Sequence, residues 1–195
     1  MSVLSEGQAV AEQVAAVKFV VAGGFGVGKT TFIGAVSEVR PLTTEAAMTS
    51  VSDGVDDGSM VSAKTTTTVA LDFGRISIDP TLILYLFGTP GQERFGFMWD
   101  DLAVGAIGGI ALVDTRRIDD SFVAIDWFEA RKVPFIVAVN SFDGAESFSL
   151  EEVREALGVP DAVPVVACDA RLKEDVKSVL LDLVDHLVRN TPTAA

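Results

Sequence analysis

Residues 23–31 read GGFGVGKTT and directly follow the short apolar stretch VKFVVA. The glycines, together with Lys29 and Thr30, stand at the spacing of a phosphate-binding loop between a strand and a helix. Such glycines let backbone N–H groups converge on a phosphate, and the positive end of the next helix adds to the attraction. The alternative, a tight turn that binds nothing, leaves the Lys-Thr pair without a role. The stretch therefore predicts a phosphate cradle.

Length and charge narrow the class of protein. The chain has 195 residues and a formal net charge of −13, with 49% hydrophobic and 22% charged residues, which suits one soluble domain that does not bind nucleic acid. A single cysteine, Cys168, and a single histidine, His186, argue against a disulfide or a His/Cys zinc site. The first residues lack the pattern of a signal peptide. We expect a cytoplasmic protein.

Apolar strands alternate with helical segments along the chain, which predicts an α/β three-layer domain with a mostly parallel six-stranded sheet and helices on both faces. The predicted strands are 17–22, 66–73, 82–87, 106–113, 133–139 and 163–167, and the predicted helices are 29–37, 121–130, 149–158 and 174–188. We expect one domain over 1–195, with an N-terminal extension 1–16, an irregular segment 40–68 and a polar tail 190–195. Ligands of such sheets bind at the carboxyl ends of the strands.

A second motif, GTPGQERF at 88–95, follows the strong strand LILYLF. Gly91 can present its N–H to a terminal phosphate, and Gln92 can orient an attacking water. The alternative is a Pro-Gly turn before an exposed helix. The apolar cluster that follows belongs either to the core or to a partner surface that changes with the nucleotide; its members are Phe95, Phe97, Met98 and Trp99.

A third motif, NSFD at 140–143, ends the strand VPFIVAV. The Asp143 carboxylate can accept hydrogen bonds from the N1–H and the 2-amino group of guanine, whereas adenine lacks both donors. Asn140 can bond the base edge or tie the site to the phosphate loop. An Asx turn after a strand is the alternative.

The fourth motif is CDAR at 168–171. The backbone N–H of Ala170 can meet guanine O6, and the stem of Arg171 can lie over the base. The alternative is a helix N-terminal turn with Asp169 near the cap. We interpret Cys168 as a small structural residue near the base site rather than a nucleophile.

In this order the four motifs resemble those of the Ras-like small GTPases, from about residue 17 to 188. The stretches FGTPGQERF, DDLAVGAIGGIALVDTRR, VAVNSFD and CDAR more closely resemble the GTPases of actinobacterial conservon operons. They are similar, more distantly, to the bacterial gliding-motility GTPases.

The resemblance implies GTP or GDP with Mg²⁺ as ligands, and slow GTP hydrolysis. It implies Lys29 and Gln92 as catalytic residues, and Thr30 and Thr68 as metal ligands. Residues 65–68 are all threonine, so which of the four is the ligand stays open. The implied nucleotide-binding residues are Gly23, Gly24, Phe25, Gly26, Val27, Gly28, Lys29, Thr30, Thr31, Thr68, Gly91, Asn140, Asp143, Cys168, Asp169, Ala170 and Arg171.

Two positions depart from the small-GTPase pattern. Gly88 replaces an aspartate that holds a magnesium-bound water, which implies either weaker magnesium binding or a substitute carboxylate, with Asp72 or an acid in the 53–57 loop as the candidates. Ser141 replaces the usual lysine over the base, which implies weaker or less selective base binding. Arg94 is the candidate for a catalytic arginine within the chain.

The resemblance also implies partners: a roadblock/LC7-type regulatory protein and a sensor-kinase-like membrane protein, through which the chain would associate peripherally with the membrane. Alone, the chain is expected to be a monomer. Two alternatives stay open. One is an ATP-binding P-loop protein, and the other is a nucleotide-bound scaffold without effective hydrolysis.

Overall fold

A computed structural model describes residues 14–40, 71–91 and 96–190, together with the backbone of 46–48 and 67–69. Its strands are β1 (Ala15–Ala22), β2 (Ala46–Met48), β3 (Thr67–Val69), β4 (Asp72–Asp79), β5 (Leu82–Gly88), β6 (Gly108–Val113), β7 (Phe135–Asn140) and β8 (Val165–Cys168). Its α-helices are α1 (Lys29–Val36), α2 (Met98–Ala103), α3 (Phe122–Arg131), α4 (Leu150–Leu157) and α5 (Lys173–Asn190), with a 3₁₀ turn at Thr115–Ser121.

Six strands form one sheet in the order β4-β5-β1-β6-β7-β8, and β4 alone runs antiparallel to its neighbour. The predicted fold class is confirmed. The central strands β6 and β7 are buried on both faces, as parallel strands between helices are. In β1, Phe19 and Val21 face α1 and α5, whereas Val20 and Ala22 face the layer that contains α3 and α4. This alternation divides the core into two halves.

The predicted strand over 66–73 is wrong, because the structure has two strands there. Thr67–Val69 pairs antiparallel with Ala46–Met48 in a separate two-stranded sheet, inside the segment predicted to be irregular. The second strand, Asp72–Asp79, forms the edge of the main sheet. Its alternation of apolar and charged residues hides an edge strand, because only one side of such a strand is covered.

Helix ends follow the sequence signals closely. The capping box at Ser149 is formed: its hydroxyl accepts a hydrogen bond from the backbone of Glu152, whose carboxylate accepts one in return. Gly158 ends that helix in the left-handed conformation. Within the described residues, no helix combines the length and the apolar character needed to cross a membrane.

Four loops meet at one edge of the sheet, because β1, β5, β7 and β8 all end there. They carry residues 23–28, 89–91, 141–143 and 169–171. The parallel order of the strands thus gathers the four motifs of the sequence at one place, as expected for sheets of this class.

Candidate nucleotide-binding site

The phosphate loop is a backbone turn that only glycine-rich sequence permits. Gly23, Gly26 and Gly28 have φ values of 147°, 75° and 106°, all in the range that favours glycine. α1 begins at Lys29, immediately after the turn. The loop therefore lies directly before the N-terminus of a helix, and backbone N–H groups at such a position can hold an anion.

Lys29 is buried inside this loop. Its Nζ donates hydrogen bonds to the carbonyl oxygens of Gly23 and Gly24, at 2.8 and 2.7 Å. Burial lowers the pKa of Lys29 to about 8, although the charge of Asp72 acts in the opposite direction. Among the described residues, the ammonium group thus donates to two backbone carbonyl oxygens, and a phosphate would give it an anionic partner.

Gly91 lies against the phosphate loop from the opposite side. A Cβ at this position would come within 2.8 Å of both Lys29 Nζ and the Cα of Phe25. The structure thus brings Gly91 to the predicted place beside the cradle. Gln92 and Arg94 lie outside the described residues, as do the side chain of Thr68 and the acids of 53–57, so their predicted roles stay predictions.

Asp72 occupies the space that Gly88 leaves open. The two residues are directly paired between β4 and β5, and a Cβ on Gly88 would lie 2.8 Å from the Cβ of Asp72. The Thr30 hydroxyl donates a hydrogen bond to Asp72 Oδ2 at 2.8 Å. Of the two substitutes named for the missing aspartate, the neighbouring strand supplies one in contact with Thr30.

Hydroxyl and carboxylate oxygens are donors that Mg²⁺ prefers. Thr30 and Asp72 therefore fit a magnesium ion shared with phosphate oxygens. The described part of the chain has no cluster of three or more His, Cys, Asp or Glu side chains that could hold a metal ion by itself.

Asn140 ties the phosphate loop to the fourth motif. Its Nδ2 donates to the carbonyl oxygen of Val27 at 2.9 Å, and its Oδ1 accepts from the backbone N–H of Ala170 at 2.9 Å. The side chain is only 6% exposed. A Cβ on Gly28 would lie 2.6 Å from Asn140 Nδ2, so glycine is required for the contact. Of the two roles predicted for Asn140, the structure has the tie, and the N–H of Ala170 points to Asn140 rather than to open space.

The charged side chains predicted to lie at the base form an ion triad. Arg171 donates from Nη1 and Nη2 to the two oxygens of Asp143, at 2.8 and 3.0 Å. It also donates from Nε and Nη2 to Asp169, at 2.9 and 2.7 Å. These hydrogen bonds lower the pKa of Asp143 and bring that of Asp169 to about 2. The Arg171 guanidinium is engaged between two carboxylates, and the predicted position of its stem over the base stays a prediction.

Two arginines of the loop after β6 were not identified from the sequence. Arg117 donates to the carbonyl oxygen of Phe25 in the phosphate loop and pairs with Asp120 at 3.5 Å. Arg116 pairs with the buried Asp114 and lies over the ring of Phe142, 3.6 Å from its centroid. Their signal is positional, because they follow a buried strand at its carboxyl end.

Cys168 is buried in the core, and burial raises its pKa to about 12. A thiol of this kind is not a nucleophile near neutral pH, in keeping with the structural role predicted for it. In the apolar cluster of the second motif, Trp99 lies in the core and Phe95 lies outside the described residues, so the role of the cluster as a partner surface stays a prediction. Trp99 is buried and donates to the carbonyl oxygen of Pro90 at 3.1 Å, whereas Phe97 is 58% exposed.

The chain matches one protein family over most of its length. A family model described as "Conserved hypothetical ATP binding protein" matches residues 21–190. "Uncharacterized protein MJ1339" of Methanocaldococcus jannaschii is 30% identical over 129 residues, covering 65% of this chain and 71% of that protein.

Solved structures share the fold. The G domain of the T. maritima FeoB iron transporter superposes with a TM-score of 0.60 at 20% identity, over 88% of this chain and 99% of that chain. The FeoB G-domain from Methanococcus jannaschii gives 0.60 at 13% identity, over 90% and 99%. The cytosolic domain of T. maritima FeoB in a GDP form gives 0.60 at 19%, over 91% and 66%. These structures show that the chain shares the fold of these G domains.

Proposed function

Since the chain belongs to the P-loop family described as conserved hypothetical ATP binding proteins, we propose that it is a nucleotide-dependent switch, selective for guanine, that binds GTP and GDP with Mg²⁺ and slowly hydrolyses GTP. The observation that carries the proposal is the double hydrogen bond of Asn140. It joins the phosphate loop at Val27 to the loop of Ala170, with the Asp143 carboxylate at the same edge.

Asp143 supports guanine over adenine. A carboxylate accepts hydrogen bonds and donates none when it is ionised, and the pKa of Asp143 is lowered by Arg171. Guanine offers two donors on one edge, whereas the adenine ring nitrogen in that position is an acceptor. The family description names ATP, so adenine binding is the alternative that an experiment must decide.

The phosphate chemistry rests on the buried Lys29 and on the less buried Thr30 and Asp72. Lys29 would exchange its bonds to the carbonyls of Gly23 and Gly24 for phosphate oxygens, whose negative charge favours its ammonium form. Thr30 and Asp72 would hold Mg²⁺, which supplies charge neutralisation between the β- and γ-phosphates when bound. Gln92 would orient the attacking water. Because Asp72 keeps a carboxylate on Thr30, we favour a hydrolysing switch over a nucleotide-bound scaffold.

Switching would follow from loss of the γ-phosphate, because the 40–68 and 88–101 segments would then lose contacts and relax. We propose that the partner is of the roadblock/LC7 type, with a sensor-kinase-like protein connecting the chain to the membrane. The resemblance to conservon GTPases motivates this proposal. The exposed ring of Phe97 on the second segment supports a docking surface that responds to the nucleotide.

The test is titration calorimetry of nucleotide-free protein with GDP, GTP, ADP and ATP in magnesium, for the wild type and for Asp143→Ala. We expect the wild type to prefer guanine nucleotides by about 30-fold or more, since a charged bidentate contact contributes roughly 2–3 kcal/mol. Asp143→Ala should lose most of this preference. Asp161→Ala, an exposed aspartate outside the site, is the matched control and should keep it.

Equal affinity for adenine and guanine nucleotides in the wild type would favour the ATP-binding alternative. Guanine selectivity that survives in Asp143→Ala would mean that another group reads the base. The first result would contradict guanine selectivity, and the second would contradict the role of Asp143 in it.

A further inference from the structure

We propose that Arg171 holds the edge of Asp143 that would read the base, and that guanine must displace it to bind. The inference deepens the proposed function and rests on it, because it concerns how the base site is kept before the nucleotide arrives. Arg171 is thereby a positioning residue that competes with the base, rather than a platform that supports it.

The geometry of the pair is that of the expected base contact. Nη1 and Nη2 of Arg171 each donate to a different oxygen of Asp143, at 2.8 and 3.0 Å. The two nitrogens hang from one carbon, Cζ, and form a planar two-donor fork. Guanine presents the same chemistry, since its N1–H and its 2-amino group are attached to one carbon. A carboxylate receives two parallel donors along its open edge, and that edge accommodates one fork at a time.

Asp169 is a second acceptor to which the guanidinium stays bonded when it leaves Asp143. It accepts from Nε and Nη2 of Arg171, and its side chain is 17% exposed, against 84% for Asp143. Asp169 also accepts a hydrogen bond from the backbone N–H of Arg171. Guanine would therefore break only the two hydrogen bonds to the exposed partner, while the guanidinium keeps those to the less exposed partner. Arg171 therefore competes with guanine for Asp143 while it stays bonded to Asp169.

The size of the effect follows from exposure. Arg171 and Asp143 have side chains that are 52% and 84% exposed, and exposed ion pairs are weak and screened by salt. Breaking the pair should lower the affinity for guanine nucleotides modestly, by about threefold to tenfold. This range corresponds to the strength of exposed, bidentate ion pairs. The site is thus guarded by a contact weak enough for a nucleotide to displace.

The first experiment compares GDP binding by nucleotide-free wild type, Arg171→Ala and Lys177→Ala. Lys177→Ala removes one positive charge from an exposed pair with Glu174 on α5 and leaves the triad intact, so it controls for net charge. We expect Arg171→Ala to bind GDP about threefold to tenfold more tightly and to associate faster. The affinity of Lys177→Ala for GDP should match the wild type. ADP, which offers Asp143 no donor pair, should bind all three proteins alike.

The second experiment uses Asp169→Asn, which weakens the alternative anchor of Arg171 and leaves the guanidinium more firmly on Asp143. We expect GDP affinity to fall by about twofold to fivefold, opposite in direction to Arg171→Ala. A merely structural role for the triad would move both variants in the same direction, because each loses the pair between Asp169 and Arg171. Circular dichroism of each variant checks that the fold is intact.

Weaker or unchanged GDP binding by Arg171→Ala would overturn the inference, since a residue that stacks on the base or plays no part gives those results. The failure of the proposed function is separate. There, Asp143→Ala leaves the ratio of GDP to ADP affinity unchanged. If that ratio falls in Asp143→Ala while Arg171→Ala weakens GDP binding, guanine recognition stands and only the competition is wrong.

Discussion

At the end of the site proposed to hold phosphate, the buried Lys29 bonds backbone carbonyls. At the end proposed to read the base, the contacts join charged side chains, of which Arg171 and Asp143 are largely exposed. The phosphate end is held by the glycine turn and by the core beneath it. The base end is held by Arg171 between two carboxylates, which solvent and salt reach directly. Asn140, itself buried, is the bond between the two ends.

The difference shows how the two ends are prepared for a ligand. The cradle is a glycine turn of the backbone with the buried Lys29 inside it, so the fold itself forms it and its geometry is present before the phosphate arrives. An exposed ion triad can exchange partners at small cost. Phosphate affinity should therefore follow the stability of the fold, while base affinity should follow the local balance of charges.

Replacing Asn140 by alanine should have the largest effect, because it breaks the link between the two ends. The carbonyl of Val27 and the N–H of Ala170 would lose their partner in a buried place. An unsatisfied buried polar group costs about 1–3 kcal/mol. We expect the free energy of unfolding to fall by roughly 2–5 kcal/mol and GDP affinity to fall by at least tenfold, measured by urea denaturation and calorimetry.

Asn190→Ala is the matched control, because the Asn190 amide lies at the exposed end of α5. Its hydrogen bond within the described part of the chain goes to the same helix. It should change neither quantity measurably. If Asn140→Ala keeps its stability and loses only guanine selectivity, the residue serves the base rather than the tie, and the two ends are independent.

A change at Asp72 should be smaller and confined to the phosphate end. Asp72→Asn weakens the contact to the Thr30 hydroxyl. Residues that hold and orient a metal ligand typically change metal affinity by 10- to 100-fold. We expect GDP affinity in magnesium to fall by about tenfold, with no change in EDTA, so that the gain from magnesium disappears.

Asp79→Asn changes the same residue type on the same strand, where the carboxylate bonds Thr81 far from the phosphate loop. Its affinity for GDP should respond to magnesium as the wild type does. Equal loss of affinity in magnesium and in EDTA for Asp72→Asn would instead indicate a general role in shaping the loop.

The smallest effect concerns pH. Burial lowers the pKa of Lys29 from 10.5 to about 8 in the empty loop, and a bound phosphate favours its charged form. Binding above pH 8 should therefore take up a proton, and GDP affinity should fall roughly threefold between pH 7 and 8.5. Calorimetry in two buffers of different ionisation enthalpy measures the uptake.

Through Lys29, a rise in pH affects folding stability in the opposite direction to GDP affinity. Between pH 8 and 10.5 the unfolded chain binds more protons at Lys29 than the folded chain, so this group alone makes the free energy of unfolding rise with pH there. Lys29→Arg, which stays protonated, should abolish the proton uptake on binding. Identical proton uptake in this variant would assign the effect to another group, such as the guanine base.

Much of the site could be predicted because its parts are local. A glycine turn, Lys29 and Thr30 are adjacent in sequence, and the strand before them is a plain apolar run. The capping box of α4 and the strands β1, β5, β6, β7 and β8 followed from signals within a few residues. The edge strand β4 was misplaced because half-exposed strands alternate polar and apolar residues, which weakens the signal.

By itself the sequence determined the fold class and the four loops, because strand alternation and motif spacing depend on neighbouring residues. Tertiary structure decided which partner each side chain has. Asp72 stands beside Thr30 only because β4 pairs antiparallel with β5 in the register that brings Asp72 opposite Gly88. Arg171 reaches Asp143 only because β7 and β8 are neighbours. Pairing between distant strands is set by packing of the whole sheet, which no local stretch of sequence encodes.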